Sequence, residues 1–449
     1  SQSRDTHFGK GGIFHKVGQL TELVLSSNAC ALPGCSIRFE RFVPILRRAM
    51  SRGYVKDIYG NFVLDGLING FTLGVPQGAL KGKRIFRNYP PAFEARDQVT
   101  EAIASRVAAR KTLHLGPWAL VERALYDCID DFCCFPMGCV PKPHAPEEMR
   151  PTSDHSRTGW NAATVMGVLG HTLDTYKRVS WLLEKDSFMY VSDVANAFMI
   201  IPLAPWVWWF FLLRCYRSRL ANLEDGYMHL FADFGSRGMP GTFKIFFVEV
   251  VVQMARSELI VTLPMVVHVD DVALIDLSAE AVNEEMLRFQ TWSQDNCGIG
   301  WKQSKDRKGA QLQLFCGFWW DSRTLHIFLD SSKLDRYLPV LAEAAASKVL
   351  TLVARQSLAG KMQRAVMTFP KGAACLLVSC YTGMSGLKLP WHTRRTSRAE
   401  RADYQLVHDL LRLNLGRGFY RYDDFSVAPT VLSDASKGSF AGGGYVSQD

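Results

Sequence analysis

The stretch VVHVDDVALI places Asp270 and Asp271 side by side inside a run of Val, Ala, Leu and Ile that asks to be buried. A buried carboxylate without a partner costs several kcal/mol or gives up its charge, so the pair either sits at a turn in water or holds cations. A third acid, Asp193, ends the apolar run FMYVSD upstream. Carboxylates delivered by neighbouring strands are what two-metal phosphoryl transfer requires: one divalent ion activates the attacking hydroxyl, the other bridges the phosphates. Cysteine offers a weaker signal. Cys128, Cys133, Cys134 and Cys139 cluster near His144, but their spacing fits no familiar zinc finger and their neighbours are Phe132, Phe135 and Val140. Buried free thiols are the expectation, with zinc as the alternative.

The elements that must position these acids follow from hydrophobic period. MVVHV and VALID read as two short strands meeting at the acids, and residues 188–191 and 198–213 as further strands. Phe246, Phe247, Val250 and Met254 share a face of a helix over about 242–258, and Ser278 caps a helix through AEAVNEEMLRFQTWSQDN. Helical spacing also appears at Val99, Ile103 and Val107, and again at Leu120, Val121, Leu125 and Ile129. The first ~90 residues hold scattered short apolar patterns and a Gly/Pro-rich basic loop, an irregular extension by this reading. LQLFCGFWW is a strand, helices dominate from about 332 to 413, and the chain's last stretch, PTVLSDASKGSFAGGGYV, reads as strand, turn and glycine-rich strand.

The chain has 449 residues, 48% of them hydrophobic, with 27 Phe and 11 Trp, enough for two or more cores. Its net charge of +9 favours a polyanionic partner. SQSRDTHFGKGG has neither an initiator Met nor an apolar signal core, so a piece of a longer intracellular polypeptide, in cytoplasm or nucleus, is expected. Eleven Cys without a regular framework agree with a reducing compartment. Residues 194–213 carry no charge over the length of a membrane span, but Pro202 and Pro205 interrupt them, which favours strand, turn and strand over a spanning helix.

In order, YVSDVANAFMIIPL, RGMPGTFKIF, HVDDVALI, GIGWKQSK and LQLFCGFWWDSRTLHI resemble the palm motifs of retrotransposon reverse transcriptases, more narrowly those of the tyrosine-recombinase (DIRS-like) group. Upstream, VPKPHAPEEMRPTSDHSRTGWN is similar to that family's fingers segment, and LSDASKGSFAGGGYV to the opening of its ribonuclease H domain. The resemblance spans about residues 110–449. It implies an α+β fold arranged as a right-hand polymerase with an antiparallel-sheet palm. Residues 1–109 would be an N-terminal extension, 110–330 fingers and palm, 331–427 thumb and connection, and 428–449 a truncated start of a ribonuclease H-like domain. It implies Asp193, Asp270 and Asp271 as catalytic, metal-binding acids for two Mg²⁺, with Mn²⁺ as an alternative. Lys142 and Arg150 would clasp the incoming triphosphate and Phe198 would exclude a 2′ hydroxyl. Gly238, Pro240 and Gly241 would lie near the nucleotide, Gly241 standing where the family often has Gln or Phe. The family's lysine of GWKQSK falls nearest Gln303, flanked by Lys302 and Lys305. Asp434 matches the first ribonuclease H acid, one of several that such cleavage needs, so no ribonuclease H activity is expected of 428–449. The implied partners are an RNA template, a DNA primer and dNTPs, with further polyprotein domains (ribonuclease H, integrase or recombinase) and no membrane. An RNA-dependent RNA polymerase and a catalytically decayed, nucleic-acid-binding retroelement fragment are the competing readings.

Overall fold

The computed structural model describes residues 2–142, 145–170, 175–218, 221–369, 373–419, 431–435 and 443–447. It divides into two compact units, the first made of Ser1–Leu173, Tyr190–Leu274 and Glu280–Lys308, the second of Asp174–Met189, Ile275–Ala279 and Gly309–Asp449.

The apolar runs flanking Asp270 form the antiparallel strands Met265–His268 and Asp271–Asp276. They belong to a four-stranded sheet in the order Arg307–Ala310, Phe188–Asp193, Asp271–Asp276, Met265–His268. Residues 272–275 are almost wholly buried, as a strand covered on both faces must be. Behind the hairpin in the chain, a continuous helical stretch runs from Met239 to Ser257, and its middle, Ile245–Val251, widens to π-helical winding. Its aromatic face is buried, with Phe243 stacked on Phe247 at 5.5 Å.

The first ~90 residues are not irregular, and the helical spacing at Val99, Ile103 and Val107 is a helix as expected. Helices span His15–Ser26, Phe39–Ser51, Asp57–Asn69 and Arg96–Ala108, and Phe42 stacks on Phe246 with centroids 5.8 Å apart. This part of the chain therefore contributes to the core of the first unit. A five-stranded sheet follows, ordered Lys83–Ile85, Phe132–Cys134, Leu212–Ser218, Ala221–His229, Thr112–Pro117. Cys128, Cys133, Cys134 and Cys139 are all buried thiols, and burial pushes Cys133 up to about 12; His144 lies outside the described residues. The uncharged run at 194–213 differs from the expected pair of strands. Asn196 takes left-handed backbone (φ 51°), and 3₁₀ turns occupy Ala197–Ile200 and Val207–Phe210, with strand only from Leu212. The strand before the run ends at Asp193, ahead of the left-handed Asn196, and Pro202 makes only an isolated bridge to Phe231. Among the described residues no helix is long and apolar enough to cross a membrane.

In the second unit LQLFCGFWW is a hairpin, Leu312–Phe315 with Phe318–Asp321, closed by Cys316 and Gly317 at φ 53° and 74°. His326–Leu329 and Arg417–Gly418 complete that sheet. Helices Ser331–Ala346, Leu352–Ala365 and Arg398–Leu413 follow the expected pattern. The last two are joined by a fully buried ion pair, Arg355 Nε to Glu400 Oε1 at 2.7 Å, to which Tyr404 adds its hydroxyl. Val431–Ala435 pairs antiparallel with Gly443–Ser447, placing Asp434 opposite Gly444; its side chain is outside the described structure.

Candidate functional site

Asp271 faces His268 across the hairpin, so Val269 and Asp270 are the two turn residues. Val269 has φ 57°. A two-residue hairpin turn with positive φ at its first central position ordinarily uses glycine there, and a β-branched residue in left-handed backbone costs about 1–2 kcal/mol. Such strain persists only where surrounding structure fixes it, and it often accompanies function. Its effect here is to hold Asp270 at the tip while Asp271 opens the next strand.

Asp193 stands at the end of the neighbouring strand and is 7% exposed. The Val194 N–H donates to the Asp270 carbonyl at 2.8 Å, which ties the two acid-bearing segments by their backbones. The charges feel one another. Burial raises the Asp270 carboxyl and the Asp193 charge adds to it; burial raises Asp271 to about 6, reinforced by Asp270 and Asp193 and opposed by Lys305 and Arg307. Lys302 and Lys305 both donate to the Asp193 carboxylate, Lys305 at 3.0 Å. Gln303–Lys305 is a 3₁₀ turn, and residues three apart eclipse in that winding, so Lys302 and Lys305 point the same way while Gln303 is exposed. The Lys302 N–H also bonds the Asp193 carbonyl, at 2.9 Å.

Hard carboxylate oxygens that burial and mutual repulsion raise, despite the nearby lysines, are the donor chemistry that Mg²⁺ takes. As arranged, however, no group of three or more His, Cys, Asp or Glu side chains among the described residues is gathered to hold a metal ion, and Asp193 is engaged by ammonium groups instead.

Phe198 lies on the 3₁₀ turn after Asp193, buried, its ring 4.9 Å from Phe234 and 5.8 Å from Phe243. Phe243 is on the helix Met239–Lys244, where Pro240 occupies the first turn and Gly238 precedes it. A Cβ on Gly238 would meet the Leu73 carbonyl at 1.9 Å, and one on Gly241 the Leu169 carbonyl at 2.1 Å. Close backbone packing thus accounts for both glycines without a ligand. Lys142 and Arg150 sit on the hairpin Met137–Lys142 with Ala145–Ser153. Arg150 opposes Val140; the register then shifts between Pro141 and Lys142, and Lys142 opposes Ala145. Lys142 pairs with Glu148; Arg150 is exposed.

Two features escaped the sequence reading. The first is the pair of lysines on Asp193, which spacing of three in GWKQSK could have signalled. The second is Phe234, 43% exposed beside the Phe198 ring. It is held by its neighbour Asp233, which accepts from Ser153 at 2.6 Å and Arg106 at 3.1 Å. Burial alone would raise Asp233, but Arg106, His229 and Ser153 hold it well below the usual carboxylate range. An aromatic–glycine pair ahead of a helix, with Gly235 at φ 98°, was the available signal.

No protein-family model and no curated protein matches the sequence. Solved structures do match by fold. A foamy viral protease-reverse transcriptase in complex with an RNA/DNA hybrid aligns with TM-score 0.54 at 14% identity, over 78% of this chain and 40% of that one. Two further structures of the foamy viral protein, both in complex with double-stranded DNA, align at 0.56 and 0.54 with 13% identity over 84% and 82% of this chain. This chain covers 56% and 66% of those two, so it spans less than two thirds of each of these three structures. The chain has a reverse-transcriptase-like fold.

Proposed function

We propose that the protein is an RNA-directed DNA polymerase of a retrotransposon, arranged as fingers, palm and thumb, that extends a primer 3′ hydroxyl with dNTPs. The observation that carries this reading is the placing of Asp193 and Asp271 on adjacent strands, with Asp270 in the strained turn that precedes Asp271, within a reverse-transcriptase-like fold. Asp193 and Asp270, with Asp271 beside them, would hold two Mg²⁺. When bound, such ions activate the 3′ hydroxyl and neutralise charge on the triphosphate. Lys302 and Lys305 are the ammonium groups nearest the acids, and we assign them to proton donation toward the leaving pyrophosphate once released from Asp193. Lys142 and Arg150, on the two strands of one hairpin, supply cations for the triphosphate. Phe198, backed by Phe243 and beside Phe234, is the bulky group under the sugar.

Primer extension on an RNA template with Mg²⁺ and dNTPs tests the proposal. The wild type extends and Asp270→Asn falls to background; equal extension by both would remove the catalytic role of Asp270, and none by folded wild type would leave only a nucleic-acid-binding relic. Phe198→Ala should raise ribonucleotide incorporation relative to deoxynucleotide, and an unchanged ratio removes the sugar-sensing role.

A further inference from the structure

Beside the acid site, the segment 34–38 encloses a cavity of about 600 Å³ with the turn that follows Asp193 and the end of helix Ala279–Cys297. Its walls are strands of backbone in close contact. Gly34 has φ 131°, and a Cβ there would lie 2.5 Å from the Arg110 carbonyl; Gly298 has φ 75°, and a Cβ there would lie 1.7 Å from the Ser36 carbonyl. The Ala195 N–H donates to the Gly300 carbonyl at 2.9 Å, and Arg38 Nε donates to the Gln294 carbonyl at 3.2 Å. Larger side chains at the two glycines would push these segments apart, so the cavity is built by the backbone itself.

Two cations line it, Lys111 and Arg38, together with the carboxamides of Asn196 and Gln294; no Asp or Glu among the described residues does. The Lys111 Nζ stands 4.1 Å over the Phe231 ring and forms no ion pair with a carboxylate among the described residues. Asn196 is held in left-handed backbone just after the acid-bearing strand, and its side chain makes no capping hydrogen bond. Positive charge and amide donors gathered without an acid suit a phosphate chain. Neither Lys142 nor Arg150 lines the cavity, so it is additional to the cations proposed for the incoming triphosphate. Its volume is that of a small-molecule site.

We propose that this cavity binds the phosphate chain of inorganic pyrophosphate or of a nucleoside polyphosphate, with Lys111 and Arg38 as its cations and Asn196 as a donor. The identity of the anion rests on the polymerase reading, in which pyrophosphate is released beside Asp193, two residues from Ala195 in the cavity wall. Burial brings the Lys111 ammonium down to about 8, with the Cys35 thiol acting against it, and a bound phosphate would stabilise the charge that burial disfavours.

Calorimetric titration of the full chain with inorganic pyrophosphate, in EDTA and without template, should give one site. Lys111→Met and Arg38→Gln should each weaken it about tenfold. A second measurement needs no substitution, because Cys35 lines the cavity and is half-buried while Cys375 is exposed elsewhere. Pyrophosphate should slow the alkylation of Cys35 by iodoacetamide several-fold and leave that of Cys375 unchanged. ATP in place of pyrophosphate separates the two sources: protection by both extends the site to nucleoside polyphosphates, and protection by pyrophosphate alone assigns it to the product. No protection of Cys35 by either anion, or an affinity that both variants keep, would overturn the proposal. Loss of primer extension with Cys35 still protected would sink the polymerase reading and keep the anion site; extension without protection would do the reverse.

Discussion

His155 is wholly buried between Phe135 and Phe211, with ring centroids 4.9 and 4.5 Å away, and neither ring nitrogen has a protein hydrogen-bond partner. Burial brings its pKa down to about 4; Asp233 and Asp154 pull it up and His229 pushes it further down. Because the folded state resists the proton that the unfolded chain accepts, this histidine's share of stability is complete above about 6.5 and is lost as pH falls from there toward 4, on the order of 3 kcal/mol. Asp271, raised to about 6, acts with the opposite sign in part of that window, so the wild-type curve mixes the two. Comparing the wild type with His155→Leu isolates the histidine: the variant's melting temperature should fall less between pH 7 and pH 4.5, and parallel curves would refute the assignment. At this scale the acids were legible because carboxylates in an apolar run demand compensation. The lysines were legible only as a spacing of three, because register alone could not choose among residues 302, 303 and 305; the 3₁₀ winding sets Lys302 and Lys305 on one side.

The hairpin turn and the buried helix–helix pair each convert a local strain or charge into an element's position. Val269→Gly should relieve about 1–2 kcal/mol of left-handed strain. The melting temperature should then rise while the primer-extension rate falls, since Asp270 loses its fixed tip; a rise in both would mean the strain has no positional role. In the second unit, Arg355→Met leaves the Glu400 carboxylate buried without its cation, and Glu400→Gln leaves the guanidinium so. Either should cost about 3–5 kcal/mol in denaturant unfolding, whereas the double substitution Arg355→Met with Glu400→Leu should recover much of it. Additive losses would show the two side chains act separately. Elements of regular period, such as the 265–276 hairpin, the 239–257 helix and the helices after 331, were legible for that reason. The helices before residue 70 were hidden by residues that usually break helices. Pro44 lies inside Phe39–Ser51, and Gly60 and Gly66 in Asp57–Asn69 make room for Met50 and Phe71, whose side chains come within 2.4 Å of where each Cβ would be. Glycine there serves contact between elements, which a single sequence does not display.

Across the whole chain, 52 Lys and Arg stand against 43 Asp and Glu. The excess is modest for a protein that would track a double-stranded template-primer, and the three carboxylates of the site concentrate negative charge where the primer end must arrive, so affinity has to come from phosphate contacts spread over the surface. Each phosphate neutralised releases counterions, and log affinity then falls linearly with log salt. Six to ten such contacts would lower affinity by about 10³ to 10⁵ between 50 and 200 mM salt. Fluorescence anisotropy with an RNA/DNA template-primer across that range should give this steep line, and a flat response would remove nucleic acid as the partner. The same titration on Asp270→Asn should keep the slope while primer extension is lost, because the proposed function gives Asp270 to the chemistry and leaves the phosphate contacts to other residues. If the slope and the extension fell together, the acids would be holding the fold rather than performing the reaction.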